Sequence, residues 1–279
     1  MKHLKNKVDL VKFWRWSLLG FLMLAWIVLH YFARLPEWWI IPAFLGYLLL
    51  SALICRAYVL GMIGNYYYAK RMPDKAKVFY KKAVDKNTRN VRAIYNYALD
   101  LLHTGQAEQA LDLFKRAEII NTSVLFDKLI PLAKSSCYWV LGDIDLAIAT
   151  LLDLKDRYTY LNPSTLTTLG YFYLLKGDFE KAEEQTNLAI KDNAFHAPAW
   201  DNLGQIEYRR GNFEKAEEHF EKALSIKDTM PESLYYLALI KKNKDKEKAR
   251  ELLEKAANGY ISSLSTVTKQ DIEKELKNL

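Results

Sequence analysis

The stretch from Ala197 to Met230, APAWDNLGQIEYRRGNFEKAEEHFEKALSIKDTM, decides the fold, because it joins two helical patterns through one glycine. Trp200, Leu203 and Gly204 lie on one face of the first pattern. Gly211 separates the patterns and suits the left-handed conformation that ends a helix. Because small residues let two backbones approach closely, the stretch predicts an antiparallel helix pair. The matching stripe of the second helix consists of Ala216, Phe220 and Ala223.

The same spacing recurs along the chain at intervals of 34 residues, as from Gly177 to Gly211 and from Ala76 to Ala110. The segments GDFEKAEE (177–184) and GNFEKAEE (211–218) differ at one residue. This pattern resembles the tetratricopeptide repeat, which implies stacked helix pairs that hold partners and perform no chemistry. One pair cannot cover its apolar face, so stacking produces the core. We expect an all-α fold, an α-solenoid of about six such pairs at 57–90, 91–124, 128–161, 163–196, 197–230 and 231–263.

Two of these repeats depart from the regular spacing. Ala147 follows Ala110 by 37 residues, so the third repeat contains a small insertion. The sixth repeat is one residue short, because Ala249 follows Ala216 by 33, and it lacks the turn glycine. The array is predicted to cover 57–263. Residues 264–279 are predicted to form a polar helix that closes it.

Two uncharged apolar runs precede the array, with predicted limits of about 16–32 and 38–55. Each approaches the roughly 20 residues that a helix needs to cross a hydrocarbon core. Aromatic residues flank the runs, as in membrane proteins. The alternatives are a buried hairpin of a soluble core and a cleaved signal peptide. Apolar residues on every face and the absence of a small-residue cleavage site favour a transmembrane helical hairpin over 16–56.

The distribution of charge predicts the orientation of this hairpin. Five Lys or Arg residues lie in the basic N-terminus (1–15), and a dense basic group follows the second run. The positive-inside rule therefore places both termini and the repeats in the cytoplasm. We expect an integral membrane protein of two spans in a bacterial plasma membrane. The two distant cysteines, Cys55 and Cys137, agree with a reducing compartment.

The excess of basic residues is confined to one end of the chain. Residues 64–92 contain nine Lys or Arg against two Asp, whereas the chain after residue 92 is acidic. Nucleic-acid binding is therefore disfavoured. The sequence also has no phosphate-binding glycine loop, and no two histidines have the i, i+4 spacing of helical metal ligands. We expect no enzyme activity, no cofactor, no metal and no small-molecule substrate.

The resemblance to tetratricopeptide repeats implies an inner wall formed by positions two, five, nine and twelve of each first helix. Amides there can pair with a peptide backbone, and Tyr or Trp can supply rigid contact area. The alternative is that some of these aromatic residues pack between neighbouring repeats. The implied groove residues are Asn65, Tyr68, Arg92, Tyr95, Asn96, His103, Trp139, Tyr171, Asp201, Asn202, Gln205, Tyr208 and Tyr235.

The best-known variant of this family binds an acidic C-terminal tail through a clamp of two Asn residues and three cations. Asn65 and Asn96 match the amides, but Gly61, Leu129 and Ala133 stand where the cations belong. We therefore do not expect binding of an acidic tail.

Three functions follow from these observations. The first is a membrane-anchored scaffold or adaptor whose cytoplasmic repeats bind a protein or peptide segment and recruit it to the membrane. The second is a regulatory subunit of a larger membrane complex, assembled through the transmembrane hairpin. The third is contact with lipid headgroups through Lys70, Arg71, Lys75 and Lys77. The alternative for this basic group is that it serves only as the topology signal.

Overall fold

The computed structural model describes residues 55–279 and, before them, only isolated positions between Gly20 and Leu53. Most of the two runs predicted to span a membrane, 16–32 and 38–55, lies outside the described residues. Within the described residues, no helix is both long and apolar enough to cross a bilayer.

Residues 55–279 fold into thirteen α-helices and contain no strand. The helices are α1 (Arg56–Ala69), α2 (Pro73–Asp85), α3 (Val91–His103), α4 (Ala107–Ile120), α5 (Val124–Val140), α6 (Ile144–Arg157), α7 (Pro163–Lys176), α8 (Phe179–Asp192), α9 (Ala197–Arg209), α10 (Phe213–Ile226), α11 (Pro231–Lys241), α12 (Lys246–Ala257) and α13 (Lys269–Lys277).

These helices pack in the order that the repeats predict. Helix α1 packs on α2, α7 on α8, α9 on α10 and α11 on α12. The first helices of successive repeats also touch, since α9 contacts both α7 and α11. The prediction of an all-α solenoid built from helix pairs is therefore confirmed.

The chain divides into two compact units. The first unit comprises residues 1–100 and 112–130, and the second comprises 101–111 and 131–279. A buried cluster around Ala76, Tyr80 and Ala93 belongs to the core of the first unit. The second unit contains larger clusters, in which Phe172 and Phe220 are almost wholly buried.

Two glycines of the most regular pair explain how its helices meet. Gly211 has φ 81° and joins α9 to α10, in the left-handed conformation that the sequence predicts. Gly204 lies against the ring of Phe220, and a Cβ atom at position 204 would fall 2.6 Å from two ring carbons. Both positions therefore require glycine, one for its backbone conformation and the other for close packing.

The irregular repeats show how the chain absorbs changes of length. Helix α5 has 17 residues, with Pro131 inside it, and begins at Val124, ahead of the predicted start near Lys128. Much of the insertion therefore lengthens a helix and not a loop. Helix α11 has only 11 residues, and Asp245 caps the next helix by accepting a hydrogen bond from the Lys248 amide.

The end of the chain combines a non-helical segment with a short helix. Residues 258–268 follow α12 without helical structure, and α13 then begins at a Thr268 capping box. Helix α13 lies within the stretch predicted to close the array. Ile272 of α13 is fully buried in a cluster with residues of α11 and α12.

Candidate peptide-binding face

The thirteen predicted groove residues differ widely in exposure. Tyr68, Arg92 and His103 are exposed. Asp201, Asn202 and Gln205 are buried, which contradicts the expectation that they face an open groove. The other seven are half-buried, namely Asn65, Tyr95, Asn96, Trp139, Tyr171, Tyr208 and Tyr235.

The buried polar residues of α9 bind neighbouring first helices. The Asn202 amide donates to the carbonyl oxygen of Thr167 on α7 at 2.9 Å. Asp201 accepts hydrogen bonds from the Ser233 hydroxyl on α11 and, at 2.8 Å, from the Gln205 amide. Because a buried polar group needs a hydrogen-bond partner, these contacts stabilise the buried polar side chains of α9. They also fix the position of α9 between α7 and α11.

The carboxyl group of Asp201 lies in a strongly perturbed environment. Burial raises its pKa to about 7, and the nearby Glu232 carboxylate acts in the same direction. The hydrogen bonds from Ser233 and Gln205 oppose this shift. The buried Asp201 therefore tends to keep its proton, and the negative charge of this part of the second unit lies on Glu232.

Half-buried aromatic side chains lie on the first helices of the second unit. Trp139 meets Tyr171 edge-on with ring centroids 5.7 Å apart. Tyr236 lies between two of the predicted residues, with centroid distances of 5.0 Å to Tyr208 and 5.5 Å to Tyr235. The pairs Trp139–Tyr171 and Tyr208–Tyr236 pack between successive first helices, as the alternative interpretation of the aromatic residues anticipates, whereas Tyr235 and Tyr236 are neighbours on α11. Each ring remains partly accessible.

In the first unit, the two predicted amides serve the packing of the repeats. Asn65 accepts a hydrogen bond of 3.0 Å from the Tyr80 hydroxyl, whose oxygen accepts one of 2.9 Å from Asn96. Tyr95 contacts the rings of Phe114 and Phe126 at 5.5 and 5.3 Å, and burial raises its pKa to about 12.

The position of Gly61 bears on the acidic-tail clamp. A Cβ atom there would lie 3.0 Å from the Cβ of Ala93 and 3.1 Å from Asn90. A cationic side chain does not fit at this position without movement of α3. The packing therefore agrees with the expectation that this chain lacks the clamp.

A segment that the sequence did not identify lies against the first helices of the second unit. We call residues 259–266, between α12 and α13, the strap. Glu232 at the start of α11 accepts hydrogen bonds from the Thr266 amide at 2.8 Å, the Ser265 hydroxyl at 2.9 Å and the Thr266 hydroxyl at 3.2 Å. The Tyr171 hydroxyl on α7 donates to Thr266 Oγ1 at 3.2 Å.

The middle of the strap contacts the end of α3. The Ser263 hydroxyl donates to the carbonyl oxygen of Leu102 at 2.5 Å, and the Ser263 amide donates to that of His103 at 3.4 Å. A cavity of about 300 Å³ lies beside the strap and is lined in part by Glu232, Tyr260 and Leu264. We use the term binding face for the surface of the second unit that comprises the strap contacts on the last residues of α3 (102 and 103), on α7 and on α11, together with the half-buried Tyr208 on α9 and Tyr235 on α11.

The predicted lipid-binding cations separate into two groups. Lys70, Arg71 and Lys75, the turn cations, are exposed at or near the α1–α2 turn. Lys77 instead forms an ion pair of 2.8 Å with Asp100, which raises the pKa of Lys77. Lys77 is therefore the member least available to a headgroup.

Other candidate chemistry is sparse in the described part of the chain. No three His, Cys, Asp or Glu side chains there are grouped so that they could hold a metal. Cys137 is fully buried, and burial raises its pKa to about 12, which suppresses the reactive thiolate. Cys137 therefore serves the packing of the core.

Comparison with known proteins supports the repeat assignment. Tetratricopeptide-repeat family models match residues 57–85, 91–116, 197–229 and 232–260. A TPR repeat-containing protein of Methanocaldococcus jannaschii is 25% identical, over 75% of this chain and 45% of the relative. The chain therefore spans less than half the length of this relative.

Solved structures with similar folds include a chain of the APC/C hetero-tetramer Cut9–Hcn1, with TM-score 0.61, 20% identity and coverage of 79% of this chain and 42% of that one. A thermophilic TPR protein of Thermus thermophilus has TM-score 0.55 and 21% identity, and the match covers 67% of this chain and 97% of that one. The type IV pilus biogenesis factor PilW has TM-score 0.56 and 16% identity, and the match covers 75% of this chain and 96% of that one. At these identities, the likeness concerns the fold alone. The chain thus contains tetratricopeptide repeats, arranged in an all-α helical solenoid.

Proposed function

We propose that this protein is a membrane-anchored scaffold whose second unit binds an extended segment of a protein partner on the binding face. The observation that carries the proposal is the strap. A non-helical stretch of polypeptide, with a turn at residues 263–264, already lies on the first helices, and its amide and hydroxyl groups are paired with Glu232, Tyr171 and backbone carbonyls. A surface that satisfies one such segment has the shape and hydrogen-bonding groups to accept another.

The composition of the surface supports the same function. Half-buried Tyr and Trp side chains offer rigid area that loses little conformational entropy on binding. Repeat solenoids provide extended surfaces for partners, and a chain that is similar in fold was solved within the APC/C hetero-tetramer Cut9–Hcn1.

Site-specific photo-crosslinking tests this proposal. A photoreactive phenylalanine analogue is placed at Tyr208 or Tyr235 on the first helices, and at Phe195 as the control. Phe195 is 77% exposed in the loop between α8 and α9 and therefore offers an accessible aromatic position elsewhere in the same unit. We expect one partner segment to be captured at Tyr208 and Tyr235 but not at Phe195. Equal capture at all three positions would contradict binding on the first helices.

The membrane part of the proposal rests on the two apolar runs and the charge distribution of the sequence. Helix α1, which follows the second run directly, adds support because it exposes the apolar side chains Tyr58, Val59, Met62 and Tyr66. Exposed apolar surface of this kind marks contact with a membrane or another protein. The anchor would hold the repeats at the cytoplasmic face, where a bound partner is recruited.

Cysteine labelling tests the proposed orientation. Both native cysteines are replaced by serine, and a single cysteine is introduced as Arg34→Cys in the turn or Lys5→Cys near the N-terminus. With a membrane-impermeant maleimide and intact cells, we expect labelling of Arg34→Cys only. Lys5→Cys should react after permeabilisation. Labelling of both in intact cells, or release of the protein from membranes by alkaline carbonate, would refute the two-span anchor.

A further inference from the structure

The strap resembles a bound ligand more than an integral part of the repeat core. It lies outside the helices, and residues 262–266 contact the binding face through hydrogen bonds from hydroxyl and amide groups, whereas Ile261 packs against the apolar cluster of α11 and α12. Tyr260 is 74% exposed, and Ser263 and Thr266 are exposed as well. The chain is anchored on either side, by α12 and by Val267, which is only 3% exposed. Residues 262–266 can therefore leave the face while Ile261, Val267 and the flanking helices stay in place.

The charge of the contact indicates what can replace the strap. Glu232 accepts all three of its hydrogen bonds from neutral donors of Ser265 and Thr266. The hydrogen bonds to the Glu232 carboxylate already have one charged partner, and a cationic donor would add the Coulomb attraction of an ion pair. A Lys or Arg side chain at the place of Thr266 would therefore bind Glu232 more strongly than the strap does. An acidic side chain there would be repelled by Glu232.

We propose that the binding face is a site for an extended peptide that bears a basic side chain opposite Glu232, and that the strap occupies this site when the partner is absent. This inference rests on the proposed function and specifies the chemistry of the partner. The strap is tethered at both ends, so its effective concentration at the face reaches the millimolar range. A partner must outcompete it, and the measured affinity is reduced by the fraction of molecules in which the face is covered.

The first experiment measures strap docking without any partner. The Thr266 amide donates to Glu232, so hydrogen exchange at this amide should be slow in the full chain. Thr266→Glu places a carboxylate against Glu232 and should accelerate this exchange by tenfold or more. Thr159→Glu, at an exposed loop residue of the same unit, is the matched control and should leave exchange unchanged. Equal exchange in the wild type and Thr266→Glu would overturn the role of the strap.

The second experiment measures the specificity of the face. Synthetic peptides with the sequence 260–266 carry Thr, Lys or Glu at position 266 and are titrated into the wild-type and Thr266→Glu chains. We expect opening of the strap to raise affinity about tenfold or more. In the opened chain, the Lys peptide should bind about fivefold more tightly than the Thr peptide, and the Glu peptide most weakly. Adding Glu232→Gln should abolish this order.

A second variant with a weakened strap controls for a folding defect in Thr266→Glu. Ser263→Ala with Ser265→Ala removes strap hydroxyls without adding charge or changing the first helices, and it should give the same order of peptides. An order that does not depend on charge, or that persists in Glu232→Gln, would overturn the proposed chemistry. Slow exchange of the Thr266 amide with no captured partner at Tyr208 or Tyr235 would instead refute the proposed function while leaving strap docking intact.

Discussion

The substitution Gly204→Ala tests the close packing of the most regular helix pair. The added methyl group would lie 2.6 Å from two carbons of the Phe220 ring and 2.9 Å from a third. Ordinary carbon contacts are roughly 3.5–4 Å, so the ring has to move by about 1 Å. It has little room to do so, because Phe220 is fully buried and stacks on Tyr236 with centroids 5.8 Å apart.

The expected size of the effect follows from two opposing contributions. Overpacking a core costs about 1–3 kcal/mol, and the fixed ring favours the upper part of this range. Replacing a helical glycine by alanine stabilises a helix by about 1 kcal/mol. We therefore expect Gly204→Ala to lower the free energy of unfolding by about 1–2 kcal/mol, measured by urea denaturation followed by circular dichroism.

A double-mutant cycle separates the clash from other effects. Phe220→Leu removes the carbons that the new methyl group meets, although it costs about 1–2 kcal/mol alone through the cavity that it leaves. The double variant Gly204→Ala/Phe220→Leu should be about as stable as Phe220→Leu, which gives a favourable coupling of about 1–2 kcal/mol. A neutral or stabilising Gly204→Ala, or strictly additive effects, would refute the packing argument.

Three further predictions concern charge and backbone conformation. Burial raises the pKa of Asp201 to about 7, from roughly 3.9 in an unfolded chain. Between these two values the native state keeps a proton that the unfolded state has lost. The free energy of unfolding should therefore fall as the pH rises from about 4 to 7. In urea titrations at several pH values, the free energy of unfolding should depend less on pH in Asp201→Asn than in the wild type, whereas the exposed control Asp156→Asn should behave like the wild type. Gly211→Ala should lower the free energy of unfolding by about 1–2 kcal/mol in thermal denaturation, with Gly211→Asn milder; equal losses would argue against left-handed strain. If the turn cations contact lipid, their replacement by Gln should weaken flotation with anionic vesicles, whereas Lys77→Gln should not, and an unchanged triple variant would exclude lipid contact.

The repeat architecture was predictable because its signals are local. The turn conformation of Gly211 and the close contact of Gly204 with Phe220 both follow from residue types at fixed spacing. The length of α5 was less accessible, because the insertion between Ala110 and Ala147 fits either a loop or a longer helix. The structure shows that a helix beginning at Val124 takes up part of it.

The candidate site was predicted less well than the fold. The helical register correctly places Tyr171 and Tyr235 on first helices, but register alone does not give burial. Asp201 and Asn202 occupy the predicted groove positions of the first helix, yet their polar groups form hydrogen bonds with Ser233 and Thr167 inside the core. Whether a polar residue faces solvent or a neighbouring helix depends on partners more than 30 residues away.

The strap and its acceptor were missed for a related reason. Residues 258–268 lack helical periodicity, and their run of Ser and Thr residues is typical of an ordinary connection. Their path over the second unit depends on contacts of Ser263 with Leu102 and of Thr266 with Glu232, which are long-range. The absence of a helical pattern between α12 and α13 is the local signal that marks this segment for attention.

The central claim is that the binding face of the second unit binds an extended partner segment in place of the strap. The most direct measurement is photo-crosslinking from position Tyr235 in the presence of increasing peptide of sequence 260–266 with Thr266→Lys. We predict that one partner segment is captured and that the peptide abolishes its capture, whereas the Thr266→Glu peptide does not. Capture that persists with the basic peptide, or that occurs equally from Phe195, would contradict the claim.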